Sequence, residues 1–173
     1  MKKADLLKML GGGDRRSIGK SEEVVAEVLA DARLFDPLFN AMLADDPLVR
    51  MRAADAVEKI TTLRPEFLVS FKSKLVNKVA KIDQQEVRWH VAQMFSRLEL
   101  SKAERRTVVK ILKQYLNGRS SIVRTFSMQA LADIAWKDGT LRPSILRLLE
   151  KLTEEGTPAM KSRGRKLLAR LKL

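Results

Sequence analysis

The run Asp45-Asp46-Pro47-Leu48-Val49-Arg50-Met51-Arg52-Ala53-Ala54-Asp55-Ala56-Val57-Glu58-Lys59-Ile60 decides how the whole chain is read. Asp46 stands directly before Pro47, a proline that a helix tolerates in its first turn because the N–H groups there have no intrahelical partner. An Asp in that place is an N-cap acceptor. Val49, Val57 and Ile60 then lie at offsets of zero, eight and eleven, which puts them on one face of a helix.

The same register returns three times. Val49-Arg50 recurs as Val87-Arg88, as Val123-Arg124 and, more loosely, as Met160-Lys161, at spacings of 38, 36 and 37 residues. Ala54, Ala92 and Met128 lie five residues after the first member. Val57, Phe95, Leu131 and Leu168 lie eight after, and Ile60, Leu98, Ile134 and Leu171 eleven after. Each such helix follows another amphipathic segment, as in Phe71, Leu75, Val79 and Ile82. The unit is therefore a helical hairpin of about 37 residues, and a hairpin buries its apolar face only against a neighbour.

Punctuation extends the pattern along the chain. It predicts helices over 2–10, 21–33, 35–44, 47–62, 65–82, 84–99, 102–117, 121–137, 141–155 and 158–171. Pro37, Pro65, Pro143 and Pro158 sit at or near helix starts as Pro47 does. Asp36 and Thr157 precede two of them as N-caps. Ser101-Lys102-Ala103-Glu104 is a capping box, and Asp83 with Glu86 imitates one. Seven of the eight glycines fall between apolar-periodic segments, and Gly164 is the exception. No alternating run asks for a strand.

The stretch Asp36-Pro37-Leu38-Phe39 through Val57 resembles a HEAT repeat. That family carries a proline early in the first helix, an Asp in the turn, then Val-Arg and small residues in the second helix. The likeness extends through the second and third units, which lack the turn proline, to the fourth, where Met160-Lys161 replaces Val-Arg. It covers roughly residues 34–171, and bacterial HEAT-repeat proteins of unknown role look much like this chain. The resemblance implies a single all-α domain over 1–173. It would be a right-handed α-α superhelix of about four hairpins (34–173) with N-terminal cap helices (1–33). First helices would lie outside, and second helices would line a concave face.

Composition narrows the chemistry. Hydrophobic residues make up 45% of the chain but aromatics only 5%, so the core is aliphatic and suits helices. There is one histidine, His90, and no cysteine. No disulfide, thiolate nucleophile or His-rich zinc site follows from that inventory, and no metal or cofactor is expected. No apolar run is long enough to span a membrane. Met1-Lys2-Lys3-Ala4-Asp5 is too broken by charge for a signal peptide, so a cytoplasmic location is expected.

Several residues call for a functional reading. Arg50, Arg88, Arg124 and Lys161 form a ladder that could hold phosphates. The resemblance instead implies a structural tie to a turn Asp or to carbonyls, which is the favoured reading. Trp89, with Gln93 and Arg97, and Trp136, with Gln129 and Asp133, project from the polar faces of second helices. That is the expected concave, partner-binding side. HEAT-like alkylpurine DNA glycosylases use concave aromatics with an Asp, which makes Asp133 beside Trp136 a candidate by resemblance. The plainer reading, which is the favoured one, packs Trp136 under the loop 137–139 and Trp89 against the neighbouring repeat. Gly13 through Ser21 nearly reads as a Walker A loop. It has five residues between its glycines where four are needed, and no strand before it, so a joint is expected instead. His90 reads as an ordinary interhelical residue, and the carboxylates show no pairing suited to acid–base work.

Charge is unevenly spread. Residues 1–63 carry a net −1 and residues 64–173 a net +14, which together make the formal +13. Lys102, Arg106, Lys110 and Lys113 form a stripe opposite Val108, Ile111, Leu112 and Tyr115. Lys74, Lys78 and Lys81 form a second stripe, with Arg147 and Lys151 as an extension. Such a surface attracts nucleic acid, acidic protein or anionic lipid. The expected function is a non-enzymatic scaffold that holds another protein on the concave face. The alternative is a nucleic-acid binder using the basic C-terminal two-thirds. A bilin-lyase-like HEAT protein is a weaker third reading, because those repeats are nearer 30 residues.

Overall fold

The computed structural model describes residues 3–12 and 19–172, so residues 13–18, most of the near-Walker stretch, lie outside the described residues. The described chain is all-helical, with no strand. Its α-helices are α1 (Lys3–Leu10), α2 (Ser21–Ala30), α3 (Phe35–Ala41), α4 (Pro47–Leu63), α5 (Lys72–Asn77), α6 (Gln85–Phe95), α7 (Lys102–Leu116), α8 (Ser121–Lys137), α9 (Arg142–Glu155) and α10 (Pro158–Leu171). They form two compact units, Met1–Leu98 and Glu99–Leu173.

Start signals act where side chains reach backbone. Asp46 accepts from Leu48 N at 2.8 Å. Ser101 and Glu104 close a capping box, with Ser101 N donating to Glu104 Oε2 at 2.7 Å. Thr157 accepts from Met160 N at 3.4 Å. Two expected caps differ. Asp36 lies inside the first turn of α3, where its Oδ1 accepts from Asn40 Nδ2 at 2.8 Å. Asp83 leaves the N-cap of α6 to Gln84 and pairs with Arg88 at 2.9 Å.

The expected helix over 65–82 is broken. A 3-10 helix over Pro65–Phe71 leads into the short α5, and a second 3-10 turn spans Val79–Lys81. Tertiary packing overrides helical periodicity here. Phe67 and Phe71 close on Phe35 with ring centroids 5.0 and 5.3 Å apart, and Phe71 meets Phe39 at 4.5 Å. Such aromatic pairs contribute beyond their buried area. Val69, Ser70, Ser73 and Asn77 are weak helix formers and resist little.

In the first unit α4 packs against α2, α3 and α6, and α1 packs against α2 and α4. In the second unit α8 packs against α7, α9 and α10, and α9 lies along α10. The repeated apolar positions form the cores. Val49, Ala54, Val57 and Ile60 of α4 are buried, as are Val87, Ala92, Phe95 and Leu98 in the next unit of the pattern. Val123, Met128, Leu131 and Ile134 of α8 are buried too, and so are Met160 and Leu171 of α10, while Leu168 is half-buried.

Many long-range side-chain hydrogen bonds keep the same spacing. Lys74 donates to Asn40, Arg50 to Gln84, Gln84 to Pro47 O and Arg97 to Thr61, across 34, 34, 37 and 36 residues. In the second unit Ser121 meets Thr157, Arg163 donates to Gln129 and Arg170 to Asp133, across 36, 34 and 37 residues.

Gly164, the glycine inside a helix, is where α10 closes on α9. A Cβ there would meet Thr153 Oγ1 at 1.9 Å and Thr153 Cβ at 2.9 Å. Gly164→Ala is expected to lose about 2 kcal/mol despite its better helix propensity, because overpacking outweighs the gain. Adding Thr153→Ala should restore at least half of that loss in urea unfolding. An unchanged midpoint for Gly164→Ala alone would contradict the close approach.

Candidate partner-binding face

The polar side of α8 carries a linked cluster of side chains. Asp133 Oδ1 accepts from Gln129 Nε2 at 3.0 Å and from Arg170 Nη2 at 2.6 Å. Gln129 Oε1 accepts from Arg163 Nη1 at 2.7 Å. This chain of charge-assisted bonds ties α8 to α10 and fixes the side chains along that face. Trp136 lies one turn beyond Asp133 and remains 50% exposed. The guanidinium of Arg142 sits 5.8 Å from its ring centroid and that of Arg170 sits 5.9 Å away, both within cation–π range. Arg142 also donates to the carbonyls of Ala135 and Trp136, each at 3.4 Å, which holds its own fork in place. The ring is thus flanked by arginines and not sealed under the loop 137–139.

Gln129, Asp133 and Trp136 are accordingly brought together with Arg142, Arg163 and Arg170. Of these six, Gln129, Asp133 and Trp136 belong to the binding set expected from the sequence, whose other members, Trp89, Gln93 and Arg97, lie in the first unit. The signal for Arg170 is its place 37 residues after Asp133, an opposite charge in the same register of the next repeat. Arg142 has no such signal, because its role follows from where α9 begins.

The corresponding residues of the first unit are engaged differently. Trp89 is half-buried, with its ring centroid 5.3 Å from that of His90. Gln93 Nε2 donates to Trp89 O at 3.4 Å. Arg97 turns onto α4, donating to Glu58 O and Thr61 Oγ1, both at 3.0 Å, and pairing with the Glu58 carboxylate. Lys59 bridges Asp55 at 3.0 Å and Glu22. These ties brace α2, α4 and α6 and leave Arg97 little freedom toward a ligand.

His90 is enclosed at the same place. Burial pushes its imidazole down from 6.5 to about 4, outweighing the pull of Asp55 and Glu58. Its Nδ1 has no hydrogen-bond partner among the described residues. Such a ring is neutral at pH 7 and closed to substrate.

The cation ladder divides between the units. Arg50 donates to Ala44 O at 2.8 Å, Asp45 O at 3.0 Å and Gln84 Oε1 at 2.9 Å. Arg88 donates to Ile82 O at 3.1 Å and pairs with Asp83. Each ties down the turn before its own helix. Arg124 makes no matching tie, and its Nε is enclosed without a partner. Lys161 is exposed. Among the basic candidates Lys74 is half-buried, bonded to Asn40 Oδ1 at 2.7 Å, whereas Lys78, Lys81, Lys102, Arg106, Lys110 and Lys113 are exposed.

Among the described residues no group of three or more His, Asp or Glu gathers as a metal site requires, and no helix is long and apolar enough to cross a membrane. Comparison with protein-family models, with curated proteins and with solved structures finds no match to this chain.

Proposed function

We propose that this chain is a non-enzymatic scaffold of HEAT-like repeats, stacked as a right-handed superhelix, that holds a protein partner on the face carrying Trp136. Exposed Trp136, held between the guanidiniums of Arg142 and Arg170, carries the reading. Tryptophan and arginine are the side chains most enriched among residues that dominate binding energy, and a ring already fixed by its neighbours loses little entropy on contact. The repeat reading draws its support from side-chain bonds that join positions 34 to 37 residues apart in both units. A nearest-neighbour array makes ties of that spacing.

Support for a non-enzymatic role comes from the two groups that chemistry would use. Asp133 has its Oδ1 taken by two donors, as suits a brace between helices. His90 is shut inside the first unit. A lesion-recognition role resting on Asp133 and Trp136 would need a carboxylate free to act on a flipped base. Trp136→Ala is expected to weaken partner binding about tenfold with the thermal midpoint unchanged. Binding undiminished in Trp136→Ala, or release of alkylated base from duplex DNA by the intact chain, would contradict the proposal.

A further inference from the structure

We propose that a second surface, the groove between α7 and α9, seats an acidic amphipathic helix of a partner protein. The groove has a volume of about 780 Å³ and lies wholly within the second unit. That size falls within the range of built ligand sites, about 300–1,000 Å³. Arg106, Lys110 and Lys113 of α7, Arg124 of α8 and Lys151 of α9 surround it, against one carboxylate, Glu155. None of these residues takes part in framing Trp136, although α8 and α9 contribute to both surfaces. The inference therefore goes beyond the face already proposed and does not depend on it.

Three observations select the occupant. First, the five cations have no carboxylate partner among the described residues, whereas most of the other guanidiniums of this unit (Arg105, Arg142, Arg163 and Arg170) are tied to protein oxygens. Secondly, Arg124 Nε is enclosed and unpartnered within this lining. A buried N–H of a cation calls for an oxygen acceptor. Thirdly, Val109, Leu116, Leu148 and Leu152 contribute an apolar floor. A polyanion alone would not use that floor. A helix with leucine-like residues on one side and carboxylates along its edges uses both the floor and the rim.

The spacing also fits. Arg106 and Lys113 are seven residues apart on α7, a rise of about 10 Å, which matches carboxylates at i, i+4 and i+7 of a facing helix. Nucleic acid is less well served. No aromatic side chain lines the groove for base stacking, and Glu155 would face phosphate. The molecule's own formal charge of +13 also disfavours a second copy as occupant.

The test is fluorescence anisotropy with the full chain and a labelled acidic amphipathic helix carrying leucines on one face and glutamates at i, i+4 and i+7. A scrambled peptide of the same composition and a duplex DNA serve as the other probes. Saturable binding of the amphipathic peptide is expected, with the scrambled peptide at least about tenfold weaker. The double reversal Lys110→Glu with Lys113→Glu should cost about tenfold. Both side chains are exposed, so the fold should survive and far-UV circular dichroism should not change. Reversal of Lys166, exposed on α10 and outside the groove, should leave affinity within about twofold. Leu148→Gln should weaken the peptide as the charge reversals do. The inference is overturned if the amphipathic peptide does not bind or if the scrambled peptide binds equally. It is also overturned if duplex DNA binds more tightly and responds to the charge reversals but not to Leu148→Gln.

Discussion

Replacing Arg52 with Leu is expected to destabilise the protein by about 4 kcal/mol, the largest single effect outside the apolar core. Arg52 is 2% exposed on the flank of α4. Its Nη1 donates to Leu10 O at 3.0 Å, Gly11 O at 3.3 Å and Gly12 O at 2.6 Å. These carbonyls end α1, where the last turn has no intrahelical donors and the helix dipole favours a cation. Leucine would fill only the part of the space nearest α4 and leave buried acceptors unpaired. The same guanidinium lies against Gly19, where φ is +57° and a Cβ would meet Arg52 Cζ at 2.7 Å. Arg52→Lys keeps the charge but loses the planar fork, so about half of the loss is expected to remain. Urea unfolding followed by circular dichroism measures the change, and hydrogen exchange should show α1 losing protection first. Equal stability of Arg52→Leu and the unmodified protein would show that the α1 carbonyls are satisfied without it.

The second large effect is pH-dependent and comes from His90, which occupies the same register in α6 that Arg52 holds in α4. Its folded pKa of about 4 lies below the ordinary 6.5. The unfolded chain therefore binds the proton more readily than the folded one. The neutral ring's contribution is complete above pH 6.5 and is lost progressively as pH falls from 6.5 toward 4. That loss is worth about 3 kcal/mol across the window. His90→Leu removes both the titration and the unpartnered Nδ1. Its stability should hardly change between pH 6.5 and 4, apart from the carboxylates common to both proteins. Carboxylates and cations near the ring, Asp55, Glu58, Lys59 and Arg97, are retained in that comparison. Parallel stability–pH curves for the two proteins would overturn this assignment.

Arg52 and His90 also mark a limit of what periodicity tells. The apolar positions at offsets zero, five, eight and eleven are legible because a 3.6-residue repeat forces them onto one face, and they are buried almost throughout. Positions three residues after the Val-Arg valine lie about 60° from that stripe, at its edge, where polar and apolar residues both fit. Only packing tells which of them becomes enclosed. Arg52 is enclosed because α1 ends above it, a placement that depends on the fold and not on local pattern. Helix ends with a proline and a cap, such as Pro47 and Pro158, are readable to within a residue. The segment 65–82 was not, since its conformation answers to Phe35 and Phe39 some thirty residues earlier. On the surface, the wheel position puts Trp136 on a polar face, but the favoured reading packs it under the loop 137–139, and it is instead 50% exposed. Its pairing with Arg142 is not legible in the sequence, because two helices must meet to make it.

The proposal that Trp136 marks a partner-binding face is tested most directly by site-specific crosslinking. A photoreactive p-benzoylphenylalanine replaces Trp136 in one full-length protein and exposed Arg147 in another, each expressed in the native host and irradiated. Position 136 should give one saturable crosslinked protein, lost on competition with the unmodified chain, and position 147 should not give that product. Equal products from both positions, or crosslinks from position 136 to nucleic acid alone, would contradict a protein scaffold with this face as its seat.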